Sequence, residues 1–169
     1  MAHNQQIEFD RAYIEFADDT IHYEFEGGYP YLVIEDGFGG YEFMNNHSYQ
    51  WTLQPTTSLQ FPIQPTLFNP NQDYQIQVVT IASLEEDVLD SLIISVNGTR
   101  VNLSHTPQGD ANYFEGIILG NVLTSSTVEI IFQTDRVSIP SELGIADGRT
   151  LGIALDWLKI SPLSQNSDP

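Results

Sequence analysis

Leu151-Gly152-Ile153-Ala154-Leu155-Asp156-Trp157-Leu158-Lys159-Ile160 is the stretch whose reading decides the fold. Leu151, Ile153, Leu155 and Trp157 recur at every second position. Successive side chains of a strand point to opposite faces, so these four are expected to share a face turned to a core. Just ahead of them, Asp147-Gly148-Arg149 places an acid two residues from a guanidinium, and the pair is expected to hold the strand's entry by charge-assisted hydrogen bonds.

The same period runs outward from this segment. Val128 to Gln133 reads as a strand, and Leu92–Val96, Asn97-Gly98 and Thr99–Leu103 read as a hairpin. Asn and Gly accept the positive φ of the type I′ turn that matches strand twist. Earlier candidates are Tyr74 to Ala82, Leu59 to Ile63, Tyr49 to Leu53, Tyr41 to Met44 and Tyr31 to Ile34. At the start, Ile21, Tyr23 and Phe25 alternate with His22, Glu24 and Glu26 until Gly27-Gly28-Tyr29-Pro30 breaks the run. Helix is confined to Leu84–Leu92, with Ser83 as its expected N-cap, and to a turn at Pro140-Ser141-Glu142-Leu143. Many short strands and almost no helix predict an all-β fold, an antiparallel β-sandwich of jelly-roll-like type. Residues 1–162 form one expected domain, and 163–169 a flexible polar tail.

Charge narrows the partners. The 169 residues carry 23 Asp and Glu against 5 Lys and Arg, a formal net charge of -18. Nucleic acid and anionic membrane surfaces are bound through Lys and Arg, so neither is an expected partner. A cation, a neutral small molecule such as a saccharide, or a basic protein suits this surface better. Without cysteine, the chain has no disulfide, thiolate metal site or cysteine nucleophile. Met1-Ala2-His3-Asn4 lacks the basic start of a signal peptide and no stretch is long enough to span a membrane, so the expectation is a soluble, cytoplasmic protein.

Val137-Ser138-Ile139-Pro140-Ser141-Glu142-Leu143-Gly144, followed by Asp147-Gly148-Arg149-Thr150-Leu151-Gly152-Ile153-Ala154-Leu155, resembles the closing segment of certain bacterial β-sandwich domains. Those domains accompany glycosyltransferases and other cell-surface polysaccharide proteins. Ser95 to Val101 and the strand around Trp51 share the resemblance, which spans Tyr41 to Ile160. Ile139 interrupts the family's Ser-Pro pair, and the first forty residues have no counterpart. The resemblance implies a jelly-roll-like accessory domain with a role in carbohydrate recognition or assembly, and no catalytic residues.

Three constellations carry candidate chemistry. Acidic residues are dense in the first forty-odd positions. A solvated face explains them, and so would calcium, which takes carboxylate oxygens. Similarity to carbohydrate-binding modules with a structural calcium implies Glu35 and Asp36 in an early loop and Asp156 in the last strand as ligands. Aromatics crowd the first third; in a turn they are displayed and in a strand they pack a core. Tyr29, Phe38, Tyr113 and Trp51 are the ligand-binding candidates, because sugars stack on aromatic rings that offer an apolar body and a polar handle. His22, Glu24 and Glu26 share one strand face and could do acid–base work. Phosphate-loop, nucleophile-elbow and dinucleotide motifs are absent from the sequence.

The expectation is therefore a non-catalytic carbohydrate-binding-like module, with calcium as its candidate cofactor. One alternative is a small cyclase, isomerase or lyase using carboxylate acid–base chemistry. Another is a protein-interaction or homo-oligomerisation domain that uses an edge strand.

Overall fold

Strands form where apolar residues alternate, and two sheets close because each has one apolar face to bury. The computed structural model describes residues 19–25, 33–44 and 46–163. In chain order the strands are β1 (Ile21–Glu24), β2 (Ile34–Asp36), β3 (Phe38–Met44), β4 (His47–Thr52), β5 (Thr56–Pro62) and β6 (Asp73–Ser83). They continue as β7 (Ile93–Val96), β8 (Thr99–Arg100), β9 (Ser104–Gln108), β10 (Ala111–Leu119), β11 (Thr127–Gln133) and β12 (Ile153–Pro162).

A seven-stranded sheet runs β3-β4-β12-β6-β10-β9, with β1 also paired to β12, and a five-stranded sheet runs β2-β5-β11-β7-β8. All pairings are antiparallel. From β4 to β7 and again from β10 to β12, successive strands lie in opposite sheets, so the chain crosses the core repeatedly. The protein is an all-β antiparallel sandwich with very little helix.

Between the sheets lie Ile21, Tyr23, Phe25, Leu59, Phe61, Tyr74, Ile76, Val78, Ile94, Ile130, Phe132, Ile153, Leu155, Leu158 and Ile160, all essentially buried. Asn97 and Gly98 adopt φ of 47° and 81°, as the type I′ hairpin requires. The Asn97 side chain also donates to the Val122 carbonyl at 2.8 Å and accepts from the Glu129 amide at 2.7 Å. The strand after this turn is shorter than expected, ending at Arg100 rather than Leu103. The helix α1 covers only Glu86–Asp90, and its N-cap is Glu85, without a side-chain capping bond, rather than Ser83.

β12 departs from simple alternation. Leu155 pairs with Thr80 and Trp157 with Val79, so Asp156 is left over as the extra residue of a bulge. An extra residue reverses the phase of everything after it. Ile153 and Leu155 face the core as expected, but Leu158 and Ile160 follow them there, and Trp157 points outward. Leu151 is buried in a separate cluster on the other face of the sheet, with Tyr49, Trp51 and Ala154. The bulge falls where β12 changes neighbours. Ala154 and Leu155 pair with β4, and Trp157 to Ile160 pair with β1. The Asp156 carbonyl accepts the Phe25 amide at 2.9 Å across that changeover.

Arg149 is tied to Asp147 as expected, through Nη2–Oδ2 at 2.8 Å, and also reaches Glu42 at 3.1 Å. Both carboxylates hold its guanidinium firmly charged, and Arg149 in turn holds the Asp147 carboxyl below its usual value.

Candidate functional site

The outer face of the larger sheet carries the most ordered set of chemistry-bearing side chains. Antiparallel partners directly opposite one another share a face. Since Ile76 and Val78 of β6 point inward, Gln77 and Val79 point outward, and the pairing then defines two rows. One row reads Glu24, Trp157, Val79, Tyr113, Thr106 across β1, β12, β6, β10 and β9. The next reads His22, Lys159, Gln77, Glu115, Ser104 on the same five strands. An aromatic row thus lies beside a polar row.

Trp157 and Tyr113 are both half-buried, and their ring centroids are 6.3 Å apart at 75°. Val79, between them in the row, is 1% exposed although it faces away from the core. His22 sets its ring edge-on to Trp157 at 5.8 Å, and its Nε2 lies 2.9 Å from Glu24 Oε1. Gln77 donates to Glu115 at 2.9 Å. The arrangement offers two aromatic surfaces, with imidazole, ammonium, amide and carboxylate groups within one residue spacing. Such a surface can hold a ligand that is apolar on its faces and hydroxylated at its rim.

The other expected site residues are dispersed. Tyr113 belongs to the aromatic row, but from a strand rather than a turn; the outward side of β10 carries it, half-buried. Phe38 begins β3 and packs, half-buried, against Phe25 and Phe132. Trp51 is 8% exposed and sits edge-on to Tyr49 in the small outer cluster. Tyr29 and Glu26 lie outside the described residues. His22 and Glu24 do share one face, as the alternation implied.

The carboxylates expected at calcium have other partners. Glu35, on β2, accepts hydrogen bonds from Tyr23 Oη and from Gln50 Nε2, the latter at 3.1 Å. Asp156 Oδ2 lies 3.2 Å from His47 Nδ1. Asp36 is exposed on the same short strand as Glu35. Among the described residues no three or more His, Asp or Glu side chains gather in one place, so carboxylates alone do not make a calcium site of Glu35, Asp36 and Asp156 there.

Two further features escaped the alternation pattern. Trp157 was read as a core residue, and only the bulge turns it outward. The edge strand β3 exposes Tyr41, Phe43 and Met44, an apolar set of the kind an assembly surface would use.

No family model matches the chain, and no curated protein matches it. Solved structures do resemble it in shape. The C-terminal carbohydrate-binding module (CBM6) of LamC, a marine laminarinase from Zobellia galactanivorans, is 10% identical, with 84% of this chain and 98% of that chain covered and a TM-score of 0.44. A GH26-CBM35 β-(1,4)-mannanase from Podospora anserina is 13% identical over 88% of this chain, with a TM-score of 0.45. An exo-β-1,3-galactanase from Phanerochaete chrysosporium, solved with β-1,3-galactotriose, is 14% identical over 82% of this chain, also at 0.45. This chain spans 28% and 29% of the length of the galactanase and the mannanase. The likeness is one of shape alone. No helix among the described residues is long and apolar enough to cross a membrane.

Proposed function

We propose that this domain binds a saccharide, without reacting with it, on the outer face of its larger sheet. Trp157 and Tyr113 are the stacking rings, and His22, Lys159, Gln77 and Glu115 contact hydroxyls. One observation carries the reading: an aromatic row and a polar row in register on five adjacent strands, on a face the core does not use. A pyranose presents C–H faces to rings and hydroxyls to polar neighbours, and this surface offers both at once. A sheet face is also rigid, so little ordering entropy opposes binding.

The test is titration calorimetry with a panel of β-linked gluco-, galacto- and manno-oligosaccharides. Trp157→Ala and Tyr113→Ala are each expected to weaken binding of the best ligand by at least tenfold while the fold is retained. Binding that survives both changes would place the ligand elsewhere.

The His22–Glu24 pair is the one observation that favours the enzyme reading, since a histidine beside a carboxylate can exchange protons. Product analysis after long incubation with the same oligosaccharides separates the two readings. Unchanged ligand supports binding alone.

A further inference from the structure

We propose that a second site, for a ligand bearing a carboxylate, lies in a cleft at the opposite edge of the sandwich from β3, with Arg100 as its anion-binding group. The chemistry it fits is that of an acidic sugar, a uronate; Glu115 borders both this cleft and the sheet face, but Arg100, which carries the proposal, belongs to the cleft alone.

The cleft arises from strand lengths. β10 runs from Ala111 to Leu119 and pairs with β6 from Asn112 to Leu119, but β9 covers it only as far as Glu115. Beyond Glu115 that edge of β10 has no strand beside it. The segment Val101–Leu103 passes close by on its way from β8 to β9. Contact is so close that a Cβ on Gly116 would meet Val101 Cγ1 at 2.2 Å and the Asn102 carbonyl oxygen at 2.8 Å. What remains is a cleft of about 590 Å³, within the range that holds small ligands. Apolar walls come from Ile117 and Leu119, which are 57% and 55% exposed. Arg100, Asn102 and Glu115 supply the polar groups.

Arg100 differs from the other described arginines. Arg136 has Asp87, Asp135 and Glu85 within 3.3 Å, and Arg149 has Asp147 and Glu42. In a chain with 23 carboxylate side chains, Arg100 has no carboxylate partner among the described residues. A guanidinium presents a planar fork that matches a carboxylate in bidentate fashion, and here that fork is open on a cleft wall. Glu115, on the same cleft and held by Gln77, can accept from ligand hydroxyls. The overall negative charge does not forbid an anion, because charges farther away than about 8 Å are largely screened at physiological salt.

The experiment compares D-galacturonate with D-galactose on the full chain, by calorimetry and by following the Arg100 side-chain NMR signal. Galacturonate is expected to bind at least tenfold more tightly than galactose and to shift that signal, with the preference shrinking in 0.5 M salt. Arg100→Gln should abolish the preference without changing the melting temperature, since Arg100 is exposed; Trp157→Ala should weaken any sheet-face binding of either sugar yet leave the galacturonate-induced shift of the Arg100 signal in place. Equal binding of the two sugars, no binding of galacturonate at millimolar concentration, or a preference that survives Arg100→Gln would overturn the proposal. Loss of the preference in Trp157→Ala alone would move the acidic ligand to the sheet face instead.

Discussion

Asp156 Oδ2 lies 3.2 Å from His47 Nδ1, and the two residues meet where β12 changes partner from β4 to β1. Asp156 is 6% exposed, yet the His47 side chain is 57% exposed, so a carboxyl group sunk in the sheet has a partner at the surface. The bulge is what puts an acid at this junction. A regular strand would have carried the position onto one face or the other.

Burial raises the Asp156 carboxyl from its usual value, and the nearby His47 opposes part of that shift. The folded protein therefore holds this proton more tightly than the unfolded chain. The stabilisation is fully present below the ordinary Asp value near 3.9 and is lost as pH rises through the higher folded-state value. Asp156→Asn, which cannot ionise, is expected to be more stable than the parent at pH 7, the gap closing towards pH 4. Thermal melts between pH 4 and 8 check this. A less stable variant at pH 7 would mean that the His47 contact outweighs burial.

Leu158 and Trp157 are neighbours on β12 with opposite fates. Leu158→Ala is expected to cost roughly 2–5 kcal/mol, as for other emptied core sites. Trp157→Ala is expected to cost less, about 1–2 kcal/mol, because its ring is only half withdrawn from water. Urea unfolding of both variants reads the order directly, and the reverse order would return Trp157 to the core.

Gly116 has no room for a side chain. Gly116→Ala is expected to destabilise by about 1–3 kcal/mol, since the added carbon meets the backbone of Asn102 as well as Val101. The same measurement on Gly40→Ala, where a Cβ would meet nothing within 4 Å, provides the comparison and is expected to show little change.

Calcium is expected to leave the melting temperature unchanged, within about 1 °C, between chelator and millimolar ion. A ligand that binds only the folded state raises it by mass action, about 2.7 kcal/mol at a hundredfold excess over Kd. Glu35 and Asp156 are already engaged by Tyr23, Gln50 and His47. A rise of several degrees would show that an ion is held, and loss of that rise in Asp156→Ala would assign it to that carboxylate.

Alternation along the chain determined the β class, the placement of most strands and the Asn97-Gly98 hairpin, because period two and turn chemistry are local properties. It also placed His22 and Glu24 on one face, and it picked out Tyr113, though for display in a turn rather than on a sheet. Only the tertiary structure decided which way Trp157 points, since a bulge depends on the switch from β4 to β1 beside it, and both strands lie more than a hundred residues away in sequence. Only cross-strand register could align Trp157 with Tyr113 or bury Trp51 against Leu151. The open guanidinium of Arg100 was equally invisible. Whether a charge finds a partner depends on which distant strands arrive beside it, and that is settled when the sheets close.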